Sequence, residues 1–188
     1  IIVLFILCAA LFLQSIGYAA DFPDVEEGHK NREAISFLAD KRVITGYEDG
    51  SFKPGNTVTR AELCVLISRA EGYLKNSGKF SENLPFSDVS EEYWAYDYIR
   101  YAHGKKIING MGDGTFLPAG KVTYEQAVKM IVCSAGLENE AKNIGGAKWY
   151  TGYLEAAHRN GFLENVRVAV SERAKRADIA QLIYNAYK

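Results

Sequence analysis

Asp49-Gly50-Ser51-Phe52-Lys53-Pro54-Gly55-Asn56-Thr57-Val58-Thr59-Arg60-Ala61-Glu62 holds the key to how this chain folds. The Asp-Gly pair makes a tight turn, because glycine tolerates positive φ at no steric cost. Pro54 keeps the chain from becoming helical too early. Thr59 and Glu62 then form a capping box, the hydroxyl accepting from the amide near Glu62 while the carboxylate reaches back. Leu63, Leu66, Ile67 and Ala70 follow at helical spacing and give the new helix an apolar stripe.

The same stretch recurs 64 residues later as Asp113-Gly114-Thr115-Phe116-Leu117-Pro118, with Val122-Thr123 matching Val58-Thr59. Thr123 and Gln126 repeat the capping arrangement. Residues 22–70 align with 86–134 without a gap at 15 of 49 identical positions, far more than composition alone would give. Each copy opens on Phe-x-Asp-Val, at Phe22-Pro23-Asp24-Val25 and Phe86-Ser87-Asp88-Val89. In the second copy an amphipathic helix is expected over roughly 94–104, with Trp94, Tyr98, Tyr101 and Ala102 at helical spacing. The short apolar runs Val43-Ile44 and Ile107-Ile108 end at Gly46 and Gly110.

A third, worn copy follows. Trp94, Tyr98, Ala102 and His103 match Trp149, Tyr153, Ala157 and His158 at an offset of 55, and Arg176-Ala177-Asp178 resembles Arg60-Ala61-Glu62. The Asp-Gly-x-Phe turn and the Phe-x-Asp-Val opening are missing from it. Lys175 stands where the capping Thr belongs, so Ser171 is expected to cap that helix one turn earlier. The connectors over 75–85 and 136–148 read as polar and glycine-containing. One helix-loop-helix cannot bury its own stripe, whereas three can, by packing their second helices together. The expected fold is all-α: three helix-loop-helix repeats in a pseudo-threefold bundle, with little or no sheet.

The first residues stand apart. Ile1 to Leu13 is almost wholly apolar, and Gly17-Tyr18-Ala19 puts small residues at a plausible cleavage point, so 1–19 reads as an N-terminally incomplete secretory signal. The expected division is then 21–74, 86–137 and 141–188 for the three copies. Cys8 would leave with the signal. Cys64 and Cys133, each in an apolar helical pattern, read as free buried thiols rather than a disulfide framework. A net charge of −1 argues against nucleic acid as a partner.

Chemistry-bearing patterns are few. His29, His103 and His158 have no metal-ligand spacing, and the Asp-Gly turns supply too few oxygens for calcium. No nucleophile elbow or phosphate loop is present. The chain reads as non-catalytic and without a cofactor. Trp94 and Trp149 are expected in the core rather than as sugar platforms.

Phe-x-Asp-Val, Trp-Ala, Gly-x-x-Asp-Gly-Thr-Phe-x-Pro and Val-Thr-Arg-Ala-Glu, in that order within about fifty residues, resemble the S-layer homology repeat over essentially all of residues 21–188. That resemblance implies a three-pronged helical spindle that binds secondary cell-wall polysaccharide, often carrying pyruvate ketals, in grooves between repeats. It implies a secreted protein held at the bacterial cell surface, with no membrane association after signal removal and with room for a downstream cargo domain. Carried over position by position, it marks Arg60 and Arg176 as the motif arginines, Asp24 and Asp88 as the opening aspartates and Gly46 and Gly110 as the glycines. Tyr124 replaces the arginine in the second copy and Asn165 falls at the glycine position in the third. Physical reasoning agrees on Arg60: at the first turn of a helix, free amides, the dipole and a forked guanidinium all favour a carboxylate. Asp24 and Asp88 can equally serve as caps of the following turn. Two other roles remain open: a spacer or protein-interaction module without glycan binding, and the anchoring end of a longer surface glycoside hydrolase.

Overall fold

The computed structural model describes residues 22–73 and 83–188. The expected signal, its cleavage point, Cys8 and most of the 75–85 connector lie outside the described residues. Seven helices are seen among these residues: α1 (Arg32–Asp40), α2 (Arg60–Ala70), α3 (Tyr96–Gly104), α4 (Tyr124–Ser134), α5 (Glu138–Ile144), α6 (Thr151–Arg159) and α7 (Arg176–Tyr187). The all-α expectation holds, with only isolated bridges in place of a sheet.

Helices α2, α4 and α7 touch one another and form the centre. Their sequences are buried on nearly every side: α2 hides Leu63, Cys64, Val65, Leu66 and Ile67, and α7 hides Ile179, Ala180, Leu182 and Ile183. The single stripe expected for α2 is therefore too narrow a description, since a helix enclosed by neighbours has no solvent face to keep polar. Each outer helix packs on the central helix of the preceding segment, α3 on α2, α6 on α4 and α1 on α7. The outer helix of the second copy starts at Tyr96, two residues later than expected, and Trp94 lies outside it.

Backbone pairing between segments follows the same cycle. The Val58 amide donates to the Ala174 carbonyl, Ala174 to Val122, and Val122 back to Val58, at 3.0–3.3 Å. Antiparallel bridges join Thr57 to Lys175, Thr59 to Lys121 and Thr123 to Arg173 around this triangle. The extended Val-Thr stretches thus satisfy each other's polar groups where the three central helices begin.

The capping box of Thr59 is present, with Oγ1 accepting from the Glu62 amide at 3.1 Å and the Thr59 amide donating to Glu62 Oε2 at 2.6 Å. In the second copy the Thr123 amide donates to Gln126 Oε1 at 3.1 Å. Thr59→Ala is expected to lower stability by about 1 kcal/mol, read as a shift in the thermal midpoint. Ser171 does not cap α7. It lies at φ 69 and gives its amide to Glu125, while the Arg176 amide is met by the Asn56 carbonyl at 2.7 Å.

One helix was not foreseen. The 136–148 connector contains α5, which buries only Ala141 and carries a Glu138–Lys142 pair at 2.8 Å. Cys64 and Cys133 are free thiols. Burial pushes Cys64 up to about 12 and, ahead of the nearby Glu138, Cys133 up to about 11, so both remain protonated and unreactive.

Candidate functional site

The Arg60 side chain begins α2 and reaches across to the second copy. Its Nε donates to the Phe116 carbonyl at 2.8 Å and Nη2 to the Asn109 carbonyl at 3.2 Å. The guanidinium lies over the Phe116 ring, 4.5 Å from the centroid. Only 9% of Arg60 is exposed, and burial pulls its pKa below the usual value against the favourable pull of Cys64 and Asp88. A guanidinium stays charged even so. Two protein bonds leave three of its five N–H groups without a partner among the described residues.

Arg60 borders a groove of about 380 Å³. Its walls are Arg60, the 107–111 segment, Gln126, Lys129 and Met130 of α4, and Trp149. Two cations and no carboxylate line it among the described residues. The expectation that Trp94 and Trp149 are core residues fails: they are 52% and 54% exposed. Each precedes its helix rather than lying on its inner face, so its ring stands at the surface. Trp149 forms the rim of this groove.

The argument from free amides at the start of α2 also needs correction. The Arg60 amide donates to the Gly120 carbonyl at 2.9 Å and the Ala61 amide to Pro118 at 3.0 Å. The neighbouring copy has consumed the helix terminus, so only the side chain and local cations can hold an anion there.

Arg176 repeats the arrangement against the first copy. Its Nη2 donates to the Thr45 carbonyl at 3.1 Å, and its guanidinium lies 5.1 Å and 4.9 Å from the Tyr47 and Phe52 ring centroids. It is 8% exposed, and its Nε is buried without a hydrogen-bond partner. Burial lowers its pKa too, opposed by Tyr47 and Glu62.

Tyr124 is different. It is 4% exposed, and its hydroxyl donates to Asp178 Oδ2 at 2.5 Å. Burial first, then Asp178, pushes the phenol up to about 12. Asp178 also takes Lys30 Nζ at 3.1 Å. Tyr124, Asp178 and Lys30 therefore occupy, in the third position, the places that Arg60, Gln126 and Trp149 hold in the first. The Tyr124 ring is turned inward. Tyr124→Ala is expected to cost about 2–4 kcal/mol of stability, as large buried side chains do, measured by chemical unfolding.

Asp24 accepts from the Phe52 and Lys53 amides at 2.8 and 2.7 Å, and Asp88 from Phe116 and Leu117 at 2.8 Å each. Burial, the largest single influence, raises the Asp24 carboxyl, but the backbone amides together outweigh it and hold it below the usual carboxylate range. Of the two roles open to these aspartates, the structure displays the clasp on the turn. That clasp fixes Phe52 and Phe116 beneath the two arginines.

Gly46 and Gly110 sit where a Cβ would stand 2.7 Å from Cε1 of Phe22 and Phe86. The added atom at Gly110 would also meet the Thr115 carbonyl oxygen at 2.7 Å, and that oxygen already accepts from Met111. The Gly110 amide has no hydrogen-bond partner among the described residues and lies in the groove wall. Gly110→Ala is expected to destabilise by about 1–3 kcal/mol through overpacking, measured by chemical unfolding. A variant as stable as the parent would mean that the Phe86 ring can move aside.

The S-layer homology domain pattern matches residues 21–64 and 85–128. Three similar proteins illustrate the relatives. The "Middle cell wall protein" of Brevibacillus brevis is 30% identical over 166 residues, 88% of this chain and 15% of that protein. The "Cellulosome-anchoring protein" of Acetivibrio thermocellus is 30% identical over 131 residues, 64% of this chain and 29% of that protein. An "Endoglucanase" of a Bacillus species is 35% identical over 128 residues, 68% of this chain and 13% of that protein. The chain spans less than a third of each of these relatives.

Proposed function

We propose, since residues 21–64 and 85–128 match the S-layer homology domain, that this chain anchors a surface protein non-covalently to the bacterial cell wall by binding secondary wall polysaccharide. The observation that supports the reading best is the Arg60 groove. A nearly buried guanidinium faces a cleft with three N–H groups to spare, beside Lys129 and an exposed indole. A forked cation suits a carboxylate, such as that of a pyruvate ketal, and an aromatic face suits the apolar side of a sugar ring.

Residues 141–188 act as a third, degenerate repeat in this reading, and α2, α4 and α7 form the axis of a pseudo-threefold bundle. The Arg60 and Arg176 grooves carry the binding, assisted by Gly46 and Gly110. Asp24 and Asp88 hold the turns, and the Tyr124 position is closed. The protein is placed outside the cell, on the wall. Binding rather than catalysis is its role, and a cargo or catalytic part belongs to other portions of such proteins. An endoglucanase that shares this segment over 13% of its length favours that division of labour.

Sedimentation of the full chain with isolated cell walls tests the reading. Binding to walls is expected, together with its loss when the secondary polysaccharide is extracted. Equal sedimentation with extracted walls would instead favour a protein partner.

A further inference from the structure

A second cavity opens beside the Arg60 groove, with no part in the binding described so far. It holds about 450 Å³ between the end of α3 and the start of α5, lined by His103, Gly104, Lys106, Asn109, Glu138 and Lys142. Asn109 also lines the Arg60 groove, so the two share a wall. That wall is fixed from the first side, because the Asn109 carbonyl accepts from Arg60 Nη2 at 3.2 Å. The amides of Asn109 and Gly110 have no hydrogen-bond partner among the described residues, which leaves backbone donors free where the two cavities meet. Each cavity falls within the range of about 300–1,000 Å³ that takes a small molecule.

Their chemistry differs. In the second cavity Lys142 is matched by Glu138 at 2.8 Å, and no tryptophan stands at the rim. Amine, amide and imidazole groups face it together with a carboxylate. Such a mixture suits hydroxyl and acetamido groups, which both donate and accept, and Glu138 opposes a bare anion. The copies differ at these positions. The first has Ala39 and Thr45 where the second has His103 and Asn109, and the third has Gly161 in place of Lys106. Helix α5, which buries only Ala141, supplies the far wall.

We propose that this cavity is a second subsite, holding an uncharged sugar unit further along the polymer whose charged unit sits against Arg60, so that the second copy reads a stretch of polysaccharide rather than one residue. This rests on the wall-polysaccharide reading above. His103 and Lys106 determine specificity in the second subsite, and Asn109 joins it to the first.

The test uses the full chain and fragments of wall polysaccharide from an S-layer-bearing bacterium, sorted by length from single sugars upward. Calorimetry should find that affinity rises roughly tenfold from the shortest fragment that binds to longer ones, the worth of one or two hydrogen bonds, and then levels off once both cavities are filled. The double variant His103→Ala with Lys106→Gly takes residues that other copies already carry at these positions, and its thermal midpoint checks that it folds. It should bind the shortest fragment as the parent does and lose most of the rise. Because the added contact is with an uncharged unit, the parent's rise should persist in added salt. A folded double variant that keeps the full rise overturns the subsite, and one that also loses the shortest fragment overturns its separation from the Arg60 groove. A rise that salt abolishes overturns the assignment of an uncharged sugar. A parent that binds every length equally overturns the whole inference and leaves wall binding intact. A parent that binds neither the fragments nor the intact polymer removes the wall-polysaccharide reading itself.

Discussion

Arg60→Ala should lower affinity for purified wall polysaccharide by about one to two orders of magnitude, the loss of charged hydrogen bonds worth roughly 1.5–3 kcal/mol. The guanidinium is held from below by Phe116 and from the side by two carbonyls, so it presents its remaining N–H groups without having to be ordered by the ligand. The same anchoring means that the alanine variant also leaves the Phe116 and Asn109 carbonyls without their donor, which lowers stability by about 1–3 kcal/mol. Binding must therefore be measured well below the variant's own midpoint. Arg60→Lys serves as the companion: it keeps the charge but not the fork, and most of the affinity should still go. Arg176→Ala should show the smaller loss, because Glu62 beside it opposes an anionic ligand. Arg60→Ala binding like the parent would place the site elsewhere.

Phe116→Ala is the substitution expected to harm the fold most. The ring is completely buried, stacks on Phe86 with centroids 5.4 Å apart, and forms the floor under Arg60. Its backbone is held at both ends, the amide by Asp88 and the carbonyl by Arg60. The surroundings therefore cannot collapse into the vacated space. Phe→Ala at such a site costs about 3–5 kcal/mol, which for a protein of this size lowers the thermal midpoint by roughly 6–20 °C. The adjacent Leu117, 47% exposed, is the control. Leu117→Ala should fall within about 0.5 kcal/mol of the parent. Similar losses from both would mean that the turn, rather than the ring, is what the fold depends on.

Local signals carried much of this architecture in the sequence. The Thr59 box and the Asp-Gly turns depend on residues close in the chain, and the 64-residue register shows when the chain is compared with itself; the structure agrees with each. The Trp positions were misjudged because helical spacing was extended two residues past the true start of α3 at Tyr96. Helix α5 has little apolar periodicity to find, although Glu138 placed four residues before Lys142 is the kind of pair that stabilises a helix surface. The closing of the Tyr124 position was beyond reach, since Lys30 and Asp178 are 148 residues apart. So was the consumption of the α2 amides by Gly120 and Pro118, for nothing local to Arg60 announces it.

The triangle of amides at Val58, Val122 and Ala174 has a further consequence for how such a chain can be altered. In an open stack a unit can be added or removed at an end, and the remainder keeps its contacts. Here each segment borrows its neighbour's carbonyl and lends its own, and the last loan returns to the first lender. Deleting any one segment breaks two of the three links and strips an outer helix from its central partner, so the remaining two have no smaller closed arrangement to adopt. Inserting a fourth would force the circuit open. Such a chain tolerates substitution inside a segment far better than a change in the number of segments. Substitution, rather than loss or gain of units, is the route by which its grooves can drift apart in chemistry.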